Sequence, residues 1–146
     1  MALLQTIRVA IATKADTDVA ALRRAAAART RRTIGGLPQV TVDPPRFTMD
    51  SRPGGATERY TLTFPGFLAV GASGGDQRAD EEATDLLYAL IVAWRSGIQL
   101  GLGSSGVEGS WLSDATPSYD ENDLIDGYDL TWTVVMLETL ATPRTV

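Results

Sequence analysis

The chain has 146 residues, 44% of them apolar and 21% charged, with a formal net charge of −5. That is the size and make-up of one folded domain, and no apolar run approaches the ~20 residues a membrane helix requires. Cysteine and histidine are both absent, which excludes disulfides, zinc–sulfur sites, thiolate nucleophiles and the Ser-His-Asp and Cys-His machineries.

The opening stretch MALLQTIRVAIATKADTD lacks the basic n-region and small-residue cleavage site of a secretory signal, so secretion is not indicated. Leu3, Leu4, Ile7 and Ile11 recur at helical spacing and predict a short helix over 3–13, although RVAIAT alone alternates as a strand does. A second helix is expected over 16–32. Asp16, Thr17 or Asp18 is placed to cap it, its alanines favour helix, and its arginines gather toward the C-terminal end of the dipole. GGLP at 35–38 would stop it.

QVTVDPPRF (39–47) starts as a strand and is broken by Pro44-Pro45; 49–57 reads as a loop. Over 58–70, Tyr60, Leu62 and Phe64 alternate with Thr61 and Thr63, as in a half-buried strand. Pro65-Gly66 predicts a bulge or an edge position, after which Phe67 and Leu68 resume the strand. Residues 71–76 read as a loop. The strongest helix is 77–98: Ala83, Leu87, Leu90 and Trp94 form a stripe, widened by Leu86 and Ile91, with Gly97 near its end. LLYALIVAW (86–94) within it is the longest apolar run and reads as a buried helix face.

GLGSSG (101–106) matches G-x-G-x-x-G, but a dinucleotide motif must follow a strand and open a helix. Here the order is reversed, and a flexible connection is the simpler reading. A strand follows over 107–120. The best strand is 127–140, where Tyr128, Leu130, Trp132, Val134 and Met136 share a face opposite Asp129, Thr131 and Thr133. Val135 and Leu137 make its later part apolar on both faces. The tail ATPRTV is expected to be loose or to dock on a partner. The elements predict an α+β fold in a single domain, residues 1–146, with an antiparallel or mixed sheet and helices packed on one face.

DENDLIDGYD (120–129) carries five carboxylates in ten positions: Asp120, Glu121, Asp123, Asp126 and Asp129. With Gly127 as the central glycine of a calcium loop, Leu124 falls on a ligand position and Thr133 on the bidentate one, so the pattern fails. A looser oxygen site and a paired-carboxylate site both remain, but neither has ligand spacing behind it. Asp126-Gly127 supplies the positive φ values of a type I′ turn, which favours a hairpin bend. With no histidine, chemistry would fall to carboxylates, Tyr, Ser or the single lysine, Lys14. The composition points away from an enzyme, and no cofactor or metal ligand set is read.

Charge is uneven. Residues 1–75 hold ten basic and five acidic side chains, net +5; residues 76–146 hold three basic and thirteen acidic, net −10. Such halves can associate head to tail, while the plainer reading is two solvated faces. Arg23, Arg24, Arg29, Arg31 and Arg32 form the basic cluster; the acidic balance and the lack of interleaved aromatics argue against nucleic acid. Trp94, Trp111 and Trp132 read as core.

The order of these elements, with a helix of the EEATDLLYALIVAW type before a strand opening DGYDLTWTVVMLE, resembles the tail terminator proteins of long-tailed bacteriophages over nearly the whole chain. The likeness lies in architecture, since that family has no invariant catalytic motif. It implies a structural, non-enzymatic virion protein, assembled in the host cytoplasm and located at the head-proximal end of the tail. As a hexameric ring it would cap the tail tube, stop its polymerisation and meet the head–tail connector protein. Its partners would be copies of itself, the tail tube protein and that connector. DNA would pass through the lumen without specific binding, and no membrane is involved.

For such a ring, the charges predict that Arg23, Arg24, Arg31 and Arg32 meet Asp80, Glu81, Asp120 or Glu121 of a neighbour, and that surplus carboxylates face the lumen. Two alternatives stand beside it: another head–tail connector or minor tail component, and a metal-dependent enzyme using the 120–129 carboxylates.

Overall fold

The computed structural model describes residues 3–22, 24–27, 38–49, 55–70 and 76–144. Helix α1 (Leu3–Asp18) is followed by strands β1 (Arg24–Ala26), β2 (Gln39–Val42), β3 (Arg46–Met49) and β4 (Gly55–Ala69). Helix α2 (Asp76–Ala93), a 3-10 turn (Gly103–Ser105), and strands β5 (Val107–Tyr119) and β6 (Ile125–Arg144) complete the chain. The sheet runs β1-β2-β4-β6-β5, with β3 pairing β4 beyond the end of β2. Only β1–β2 is parallel, so the sheet is mixed.

Both helices lie on one face, as the alternation of the long strands requires. On β4, Tyr60, Leu62, Phe64 and Leu68 point inward; on β6, Leu130, Trp132, Val134 and Met136 do the same. Ile7, Ile11 and Ala15 of α1 and Ala83, Leu86 and Leu90 of α2 close over them in one core. Trp94, just past the end of α2, joins this core and meets Trp132 with ring centroids 5.5 Å apart. Its indole N–H donates to Ser110 Oγ at 3.1 Å, and that hydroxyl donates to the Ile98 carbonyl at 2.7 Å. A buried indole is thereby satisfied and the turn after α2 is tied to β5.

The expected helix over 16–32 does not form as drawn. The first helix runs on to Asp18, and 24–26 is a strand beside β2. A favourable alanine propensity amounts to only a few tenths of a kcal/mol per residue, about what tertiary pairing overrides routinely. The stop expected at 35–38 lies largely outside the described residues, as does Arg29.

Pro65-Gly66 is neither a bulge nor an edge. Pro65 pairs with Thr131 in unbroken register, and the one irregularity of the β4–β6 ladder is between Gly55 and Thr57. The Pro65 carbonyl accepts from the Asp43 N–H at 2.7 Å, so its missing N–H would face the same neighbour. There β2 has ended and β3 has not begun, because Pro44-Pro45 break that side. A proline therefore costs the ladder nothing at this position. Gly66 is required by packing: a Cβ there would sit 2.6 Å from both the Thr41 carbonyl oxygen and the Trp132 ring.

Smaller differences follow from the same packing. Helix α2 stops at Ala93, short of 98, and Ile91 is exposed while Ala93 is buried. Trp111 is 44% exposed on the outer face of β5 and is not core. Gly55–Thr57 belongs to β4 rather than a loop, and β6 continues through the start of the tail to Arg144.

Candidate functional site

The acidic stretch is a hairpin connection, but its turn is not Asp126-Gly127. Strand β5 ends at Tyr119 and β6 starts at Ile125, so residues 120–124 make the bend. Asp120 organises it. Its side-chain Oδ1 accepts the N–H groups of Asn122 at 2.8 Å and Leu124 at 3.1 Å. Its backbone N–H donates to the Leu124 carbonyl at 2.8 Å, and its carbonyl accepts from Asp123 at 3.1 Å. Asp123 carries the positive φ, 60°, which Asp tolerates better than most residues. The Asp120 carboxylate is thus committed to the loop's backbone as an Asx turn.

Gly127 sits inside β6, facing Ala69 on one side and Ser118 on the other. A Cβ at this position would come 1.8 Å from the Leu68 carbonyl oxygen. The glycine serves a close backbone approach, which explains an Asp-Gly pair without a turn.

That close approach belongs to a row crossing the whole sheet: Arg24 is opposite Gln39, Gln39 opposite Ala69, Ala69 opposite Gly127, and Gly127 opposite Ser118. Four strand spacings separate its ends, about 19 Å. The arginine-bearing edge strand stands at one end of the row and the acidic hairpin at the other.

The two halves of the sequence, which differ in net charge, occupy different sides of the sheet. Strands β1 to β4 come from residues 24–69 and β5 and β6 from 107–144, and the sheet order keeps the two sets side by side. Helix α1 packs over β1 and β2, and α2 chiefly over β6. The strands of the basic half of the sequence therefore form one lateral side of the sheet and those of the acidic half the other, while Arg23, Arg29, Arg31, Arg32 and Arg52 lie outside the described residues. In sequence, five of the ten basic residues of that half fall within 23–32, of which only Arg24 lies in a described strand, β1.

The predicted contact residues divide accordingly. Asp120 and Glu121 lie in the hairpin on the acidic side, Glu121 exposed. Asp80 and Glu81, also exposed, start α2; Glu81 lines a groove with Ala21, Pro38 and Asp85, beside the segments that flank the arginines. Glu81 thus stands toward Ala21 and Pro38 of its own chain's first half. Arg24 is placed by its backbone at the β1 edge. Arg23, Arg31 and Arg32 lie outside the described residues.

Strand β5 pairs only with β6 among the described residues, and its ladder is irregular at three places: Val107/Gly109, Leu112/Asp114 and Ser118/Tyr119. Irregular edges resist strand addition.

Sequence reasoning missed the outward side of α2. Tyr88, Ile91 and Val92 are 59%, 43% and 40% exposed and line up at helical spacing, with the Arg95 guanidinium 5.8 Å from the Tyr88 ring centroid. The signal was present in LLYALIVAW, which is apolar around the whole helix and so exceeds what one buried face uses.

Tyr60 is a second buried polar feature. Its hydroxyl donates to Glu138 across the β4–β6 ladder, and burial first, then Glu138 and the charge of Glu58, hold its pKa well above the ordinary tyrosine value. Burial and the two carboxylates thus favour its neutral form.

Among the described residues, no group of three or more carboxylates converges as a metal site does. The G-x-G-x-x-G stretch follows α2 and leads through the 3-10 turn into β5, the reverse of a dinucleotide site. No described helix is long and apolar enough to cross a membrane. No model of a protein family matches the chain, and no curated protein sequence does.

Proposed function

We propose that this chain is a structural ring subunit of the phage tail terminator type, one that caps a tail tube and joins it to the head connector. The observation that carries the reading is the lateral separation of two half-chains whose sequences carry opposite net charge. A C2 dimer uses the same patch on both partners, whereas opposite charges on opposite sides favour a heterologous contact, which gives a ring when the rotation between subunits closes and a filament when it does not. The fold supports it too: among the described residues both helices lie on one face of the sheet, and no element covers its other face or pairs with its two edges.

In this reading Arg23, Arg24, Arg31 and Arg32 face the Asp120–Glu121 hairpin of the next subunit, and surplus carboxylates line the lumen, where they keep DNA from sticking. Asp80 and Glu81 are the weaker candidates, because Glu81 shares a groove with Ala21 and Pro38 of its own chain. The chain does no chemistry and needs no metal.

Native mass spectrometry tests the reading. A ring, six-membered by the resemblance, supports it; a stable monomer at high concentration overturns it. Reversing Glu121 to Arg, which leaves the Asp120 turn intact, should weaken assembly, and reversing Arg23 and Arg24 to Glu as well should restore it.

A further inference from the structure

We draw no further inference here: the strongest candidate, the exposed apolar patch of Tyr88, Ile91 and Val92 on the outward side of α2, carries nothing further, because nothing in the structure shows what covers it.

Discussion

Trp94 and Trp132 meet at 5.5 Å with their ring planes inclined by 48°, and only one of the two has its indole N–H satisfied among the described residues. Ser110, fully buried, supplies the acceptor for Trp94 and passes the bond on to Ile98. Ser110→Ala should therefore cost about 1–3 kcal/mol, the usual penalty for stranding a buried donor. The midpoint of urea unfolding measures it, and an unchanged midpoint would show that the indole finds another acceptor.

Gly127→Ala should be far more damaging than its one added methyl suggests. The new Cβ would lie 1.8 Å from the Leu68 carbonyl oxygen, backbone that neither strand can withdraw without breaking the ladder. A loss of about 3 kcal/mol or more is expected, beyond the usual overpacking range. Thermal unfolding of the soluble variant, or its failure to accumulate folded, is the check.

In the hairpin, Asp120→Ala removes the acceptor for two backbone N–H groups, at Asn122 and Leu124. The expected cost is about 1 kcal/mol, comparable to losing a helix cap. Glu121→Ala, at an exposed neighbour, should change stability by less than about 0.5 kcal/mol. Equal effects in denaturant titrations would mean that Asp120 acts through charge and not through the turn.

Tyr60 gives a pH dependence with a definite sign. Its pKa is raised in the folded state by burial and by Glu138, so the folded chain holds the phenolic proton more tightly than the unfolded one. The corresponding stability is complete below the unfolded value of about 10 and is lost as pH rises beyond it. Denaturation between pH 9 and 11 should show the decline beginning, and Tyr60→Phe should remove that part of the slope. A slope unchanged in the variant would assign it to other groups.

The parts of the fold with a strong period were readable from sequence. Trp132 and its neighbours alternate without interruption, and the α2 stripe repeats at helical spacing, so each element could be drawn with its buried face. Segment 24–26 was not readable, because alanine and arginine favour a helix locally, while the strand is held by β2 across the sheet. The hairpin was legible as a bend and misplaced by a few residues. Asp126-Gly127 is the commonest turn signal, but Gly127 answers to the Leu68 carbonyl on a distant strand. Likewise Pro65 looked like an edge residue, since the gap between β2 and β3 that accommodates it exists only after folding. The charge asymmetry was visible in the sequence, and its division of the hairpin acids from those of α2 was not.

The β4–β6 ladder, running from Gly55 opposite Arg144 to Ala69 opposite Gly127, joins residues far apart in the chain and is the seam between the two halves. What unites them is this backbone zipper and the core beneath it, more than the peptide that links Val70 to Asp76. A chain cut just before Asp76 would yield fragments of net charge +5 and −10 whose missing partner is, in each case, the other fragment. The protein is built like a split reporter that happens to be fused: two half-chains, mutually attracted, that complete one sheet only by meeting.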